Sequence, residues 1–160
     1  IDPKAIKQVR LAVSKVPFDM HGGFGTYKGK FEALLSAHYA VAVILHDRAL
    51  TLAQFEPARY DDPVLRRFAA EKVVVRHDQE LVGSQTLADI ELNDGRVLAM
   101  RCMHPRGVPE RQLTRGQIEE KFRIFAPIRL AEAKLTPIIE AVYGIEKLPS
   151  ARTLTDLLRA

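Results

Sequence analysis

The alternation of apolar and polar residues predicts β-strands in the first two thirds of the chain. In residues 7–13, Val9, Leu11 and Val13 fall on one face and more polar positions on the other, which is typical of a half-buried strand. Residues 73–77 begin with three valines and predict a second strand, because β-branched side chains are enriched in sheets.

Two further alternating runs, residues 85–92 and residues 96–103, predict a β-hairpin. The turn between them contains Asp94 and Gly95, a pair that supplies the positive φ angles of tight hairpin turns. The predicted apolar face combines alternate residues of both strands: Ala88, Ile90 and Leu92 on the first, and Leu98, Met100 and Cys102 on the second.

Apolar residues at three- and four-residue spacings predict helices elsewhere. The longest covers residues 31–49, after a glycine-rich loop at residues 21–29. Another covers residues 130–143, where Pro137 is expected to kink or restart it. Capping residues mark the remaining helix ends: Thr51 before a turn to Phe55, Asp61 or Asp62 before Pro63 in a helix to Glu71, Thr114 with Gln117 before a helix to Phe125, Gly144 at a C-terminus, and Ser150 before the last helix.

The order of these elements predicts an α+β fold with two parts. Residues 1–123 are expected to form one domain, in which a small mixed or antiparallel sheet with a hairpin packs against helices. Residues 124–160 contain helices without strands, and we expect them to belong to another body.

Composition excludes several classes of protein. Hydrophobic residues make up 47% of the 160 residues and charged residues 28%, as in ordinary globular domains. No apolar run approaches the roughly 20 residues that span a bilayer. Cys102 is the only cysteine, so an internal disulfide is impossible, and with no secretory leader a cytoplasmic location is expected. No metal or nucleotide motif is present, so neither a metal nor a cofactor is expected.

The net charge of +4 raises the question of nucleic-acid binding. The basic residues are scattered among acidic ones and form no block interleaved with aromatic residues. A solvated surface, or attraction of small polyanionic substrates, explains this pattern better. We therefore expect neither a nucleic-acid partner nor a membrane partner.

Few residues suggest chemistry by their pattern alone. Ser36 and Tyr39 are three residues apart on one predicted helix and can share a face, whereas His38 points elsewhere. A Ser–His nucleophile pair is therefore poorly supported. Tyr39 is either a packed ring or a functional phenol. The loop at residues 104–107 is either a plain turn or a site for a carboxylate.

Three stretches, in order, resemble the MmgE/PrpD family. The first has Glu32 and Ala33 followed by Ser36 and Tyr39; the second is the hairpin with its loop; the third opens at Leu113. The resembling residues are Asn93, Asp94, Gly95 and Arg96 leading into His104, Pro105, Arg106 and Gly107, and Leu113 with Thr114 followed by Glu119, Glu120, Lys121 and Phe122.

The resemblance implies the lid domain of a cofactor-free, homodimeric enzyme acting on a carboxylic acid, as in 2-methylcitrate dehydratase. It also implies that a large helical domain comes first and that residues 124–160 return to it. Tyr39, on a lid helix facing the cleft, matches a catalytic position. Ser36, His104 and Gly107 match positions that line the substrate site.

Two alternatives to dehydration follow from the same resemblance: decarboxylation of cis-aconitate and epimerisation of iminodisuccinate. Relatives carry a basic residue directly after the Glu-Ala pair, where this chain has Leu34 and Leu35. A smaller or less charged substrate than a tricarboxylate is therefore expected. A rival from another class is a non-catalytic binding or dimerisation module.

Overall fold

The computed structural model describes residues 1–159, which form two compact units, residues 1–111 and residues 112–159. The division falls before the helix that opens at Thr114, whereas we expected that helix to belong with the strands. Its apolar side chains Ile118 and Phe122 line a groove together with Ile138 of a later helix, which places it with the C-terminal helices.

A four-stranded mixed sheet organises the first unit, and this confirms the predicted α+β class. Its strands are β1 (Ile6–Val13), β2 (Val73–His77), β3 (Thr86–Leu92) and β4 (Val97–Cys102), in the spatial order β2-β1-β3-β4. β1 runs parallel to β2 and antiparallel to β3, and β3 runs antiparallel to β4.

Helices cover one face of this sheet. They are α1 (Lys15–His21), α2 (Lys30–Leu35), α3 (Ala37–Asp47), α4 (Pro57–Tyr60) and α5 (Pro63–Lys72), with short 3-10 turns at Pro3–Ala5, Leu52–Phe55 and Pro109–Arg111. The core joins Val9 and Val73 of the sheet to Tyr39 and Val43 of α3 and Leu65 of α5, all nearly inaccessible to solvent. Asp62 caps α5 as predicted, because its side chain accepts the Val64 N–H at 2.8 Å.

The helix predicted over residues 31–49 is wrong, because the chain breaks at Ser36 into α2 and α3. Ser36 is extended, with φ −83° and ψ 111°. Its hydroxyl donates to the Phe24 carbonyl at 2.5 Å and accepts the Tyr39 N–H at 3.0 Å. A serine with these two bonds is a helix N-cap, so α3 starts there.

The hairpin has the predicted register, since Ala88 pairs with Met100 and Ile90 with Leu98. Its turn differs in detail: among the described residues only Gly95, at φ +86°, has a positive φ there. Asp94 instead accepts the Arg96 N–H at 3.0 Å through its side chain.

The apolar face of β4 is less covered than the pattern suggests. The side chain of Met100 is 67% exposed and that of Leu98 is 41% exposed. The reason is the position of β4 in the sheet. It is the edge strand farthest from β2, and α3 and α5 pack against the β2 side of the sheet. The outer half of the hairpin's predicted core face is therefore open to solvent.

The second unit consists of helices: α6 (Arg115–Phe125), α7 (Leu135–Tyr143) and α8 (Ala151–Leu157), with 3-10 turns at Ala126–Ile128, Glu132–Lys134 and Ile145–Lys147. The capping box of Thr114 and Gln117 is formed as predicted, and Ser150 caps α8. The helix predicted from residue 130 instead begins at Leu135. Pro137 lies in its first turn, where a missing N–H leaves no helical hydrogen bond unmade.

Candidate functional site

Ser36 and Tyr39, two of the four predicted site residues, meet at the start of α3. The Tyr39 side chain is fully buried, and its hydroxyl donates a hydrogen bond to the Gln54 carbonyl. Its ring lies 5.1 Å from that of Tyr27 and 5.8 Å from that of Phe55, centroid to centroid, both edge-on. Within the first unit the Tyr39 ring therefore fills the core and is not open to solvent, and its place in a substrate site stays a prediction.

Burial also sets the protonation of Tyr39. Removal from water raises the pKa of its phenol to about 12, and the nearby Arg59 guanidinium only partly opposes this shift. At neutral pH the phenol is therefore protonated and can act as a hydrogen-bond or proton donor, but not as a base.

Tyr27 packs on Tyr39 and is the second buried phenol of this region. Its hydroxyl has no hydrogen-bond partner among residues 1–159. Burial raises its pKa, while Arg66, whose guanidinium carbon lies 4.9 Å from the centre of the ring, opposes the shift. A buried hydroxyl without a partner is unusual in a folded core.

A network of charged groups lies next to the Leu52–Phe55 turn. Arg59 donates from Nε to Asp47 Oδ2 at 3.0 Å and from Nη1 to Asp62 Oδ2 at 2.8 Å. Gln54 Nε2 also donates to Asp47 Oδ2, at 3.2 Å. Burial alone would raise the pKa of Asp47, but the hydrogen bonds from Arg59 and Gln54 outweigh it and lower the pKa. The network fixes the turn whose carbonyl receives the Tyr39 hydroxyl.

His38 makes no hydrogen bond to Ser36, which agrees with the expectation that the two do not form a nucleophile pair. Its side chain is buried, and Nδ1 has no partner among the described residues. Burial lowers its pKa, so the imidazole is neutral. The hydroxyl of Ser36 is itself occupied by the Phe24 carbonyl and the Tyr39 N–H.

His104 and Gly107 lie in the loop after β4. The imidazole of His104 is exposed, and its Nδ1 is 3.9 Å from Glu110 Oε2. Gly107 has φ +98°, and its N–H donates to the Arg111 carbonyl at 2.8 Å. In the part of the chain that is described, no hydrogen bond joins this loop to Ser36 or Tyr39. The four predicted residues thus fall in two separate places.

Sequence reasoning missed the partners that hold Tyr39. Arg59 and Tyr27 carry no local motif, and only the folded chain brings them to α3. Gln54 does have a signal in the sequence, because it completes the capping box that Thr51 opens.

Two further properties concern ligands and membranes. Residues 1–159 contain no group of three or more His, Cys, Asp or Glu side chains arranged to hold a metal ion. None of the described helices combines the length and the apolar character that crossing a membrane requires.

The fold defines an α+β domain whose mixed sheet is covered by helices on one face and followed by a helical unit. Over residues 1–144 the chain matches the family model described as MmgE/PrpD C-terminal domain. The chain therefore belongs to the MmgE/PrpD family, through its C-terminal portion. No curated protein matches it significantly.

Proposed function

We propose that this protein is a cofactor-free lyase or isomerase that acts on a small carboxylic acid, and that it works as a homodimer. The observation that carries the proposal is the family match over residues 1–144, which includes every strand and the start of α3. Fold alone does not dictate chemistry, so the reaction has to be argued from its own requirements.

The proposed reaction is a 2-methylcitrate dehydratase-like elimination. A base takes the proton from the carbon beside a carboxylate, and the electron pair of that C–H bond forms a C=C bond. The C–O bond to the neighbouring hydroxyl breaks, and the hydroxyl leaves as water after it receives a proton. The two alternatives also pass through a carbanion. Epimerisation forms it by the same proton abstraction and returns the proton to the opposite face. Decarboxylation forms it when the C–C bond to the departing carbon dioxide breaks, and a proton then takes the place of the lost group.

Tyr39 is the residue we propose as the proton donor to the leaving hydroxyl. Its phenol is protonated at neutral pH and so has a proton to give, and the pKa of about 12 makes it a weak acid that has to be positioned against the leaving hydroxyl. To contact a substrate the hydroxyl has to exchange the Gln54 carbonyl for the substrate oxygen, which requires a shift of the Leu52–Phe55 turn. We propose that Ser36, His104 and Gly107 contribute to substrate binding, Ser36 by fixing the start of α3.

The alternative function is a non-catalytic binding or dimerisation module. The exposed apolar side chains of Leu98 and Met100 on edge strand β4 favour it, because such surfaces are typical of contacts with other chains.

One experiment separates the two functions. The protein, expressed from its complete reading frame, is incubated with 2-methylcitrate, citrate, cis-aconitate and iminodisuccinate, and the products are identified by mass spectrometry after chromatography that separates stereoisomers. Conversion of any of these acids supports the enzyme. Turnover of none of them, together with a dimer that dissociates when Leu98 and Met100 are both changed to Ser, would establish the module instead.

A further inference from the structure

The sheet face opposite helices α3 and α5 carries a groove lined by arginine side chains. Strand pairing places four residues in one row across the sheet: Arg76 of β2, Ala12 of β1, Leu87 of β3 and Arg101 of β4. Because successive side chains of a strand point to opposite faces, this row lies on the face away from Val9 and the core.

The next row on the same face consists of Val74, Arg10, Asp89 and Ala99. The groove between the two rows has a volume of about 410 Å³. Its lining combines the small side chains of Ala12 and Ala99 with the arginines. A polar, concave surface on rigid strands is a better ligand site than the same residues on a mobile loop.

The three guanidinium groups differ in how far they are already paired. Arg10 donates to Glu91 Oε2 at 2.8 and 2.6 Å, so its charge is largely balanced. Arg76 is 3.2 Å from Asp78 Oδ2 but remains 58% exposed. Arg101 has neither an ion pair nor a hydrogen bond within residues 1–159. Arg76 and Arg101 therefore retain N–H donors for a ligand.

We propose that this groove binds a small multivalent anion, with one acidic group held by Arg76 and another by Arg101. Three strand spacings of about 4.8 Å separate the two backbones, roughly 14 Å in all. Both side chains line the same groove as Ala12 and Leu87. Guanidinium groups stay charged at every physiological pH and bind carboxylate or phosphate oxygens in a bidentate manner.

Asp89 determines which part of the groove an anion can occupy. Its carboxylate lies in the row next to Ala12, on the same face, and it has no ion-pair partner in the described part of the chain. It repels an anion at that side and directs the ligand to the row between Arg76 and Arg101. The site is distinct from the Tyr39 region and does not depend on the activity proposed above.

The test is a calorimetric titration of the protein with tripolyphosphate and, separately, with tricarballylate, a tricarboxylate that lacks the hydroxyl needed for dehydration. The variant Arg76→Gln with Arg101→Gln should weaken binding at least tenfold. The control Lys28→Gln with Lys147→Gln removes the same charge from exposed sites elsewhere and should change affinity less than twofold. Tighter binding of one probe identifies phosphate or carboxylate as the preferred group.

The variant Asp89→Asn tests the proposal in the opposite direction, because it should raise the affinity for the anion while every arginine is kept. It should tighten binding severalfold, because a repulsive charge is removed while the arginines remain. The proposal is overturned if neither probe binds, if the lysine control loses as much affinity as the arginine variant, or if Asp89→Asn leaves the affinity unchanged.

Discussion

The hydroxyl of Tyr39 donates a hydrogen bond to the backbone carbonyl of Gln54, and this bond ties α3 to the Leu52–Phe55 turn. The turn is held from its other side by the hydrogen bond from the Gln54 side chain to Asp47, near the end of α3. Tyr39 therefore has a structural role in the first unit, and any catalytic role has to coexist with it.

Replacing Tyr39 with Phe should lower the free energy of unfolding by about 1–2 kcal/mol, because the partly buried Gln54 carbonyl loses its donor. Urea unfolding followed by circular dichroism measures this change. Tyr60→Phe is the matched control, since the Tyr60 hydroxyl has no hydrogen bond within the described residues and should be nearly neutral. Equal stability of the two variants would show that the Tyr39–Gln54 bond contributes nothing.

The protein should lose stability between pH 10 and pH 12. The folded-state pKa of Tyr39 is raised from 10.0 to about 12, so below pH 10 the phenol is protonated in both states and its contribution is complete. Above pH 10 the unfolded state ionises first, and the free energy of unfolding falls as pH rises through the folded pKa. Burial shifts the pKa of Tyr27 in the same direction.

Unfolding measured in urea at several pH values across this range tests the alkaline effect. Tyr39→Phe should make the decline with pH less steep, because one of the two shifted phenols is gone. A decline that is as steep in the variant as in the wild type would assign the pH dependence to other groups.

Arg48 is the one described non-glycine residue with a positive φ, at +56°, where it ends α3 with its N–H bonded to the Ile44 carbonyl at 2.9 Å. A side chain is strained in this conformation and glycine is not. Arg48→Gly should therefore raise the free energy of unfolding by about 0.5–1 kcal/mol. Arg48→Ala removes the charge and keeps the strain, so an equal gain in both variants would contradict the explanation.

Two glycines should respond oppositely to alanine. At Gly95 a Cβ would meet nothing within 4 Å, but the φ of +86° is strained for alanine, so the substitution should cost about 1–2 kcal/mol. Gly116 is helical, in α6, and has equally open space, so alanine should stabilise by about 0.5 kcal/mol. Thermal or urea unfolding of each unit measures both, and the same sign at both positions would refute the argument.

Local signals explain which elements could be predicted. Strand β2 and the helix capped by Asp62 have the predicted residues because valine-rich runs and an Asp-Pro start act over short distances. The break between α2 and α3 at Ser36 could not be predicted from local signals. Apolar spacing continues through it, and the decisive partner is the Phe24 carbonyl, which only the folded glycine-rich loop brings within reach.

The candidate site was harder to predict for the same reason. Tyr39 could be singled out by family resemblance, but its burial depends on Gln54 and Tyr27, which no pattern links to it. Likewise, alternation places Arg101 on the polar face of the hairpin. Its row with Arg76 depends on the parallel pairing of β1 with β2, which are far apart in sequence.

The proposed lyase activity is tested most directly by proton NMR in heavy water on the protein expressed from its complete reading frame, offered 2-methylcitrate, citrate and cis-aconitate. We predict loss of the signal of the proton beside a carboxylate, or appearance of an alkene signal. The rate should be at least tenfold slower in Tyr39→Phe and unchanged in Tyr60→Phe. A wild-type rate in Tyr39→Phe would remove Tyr39 from the mechanism, and spectra that stay constant for every acid would contradict the lyase itself.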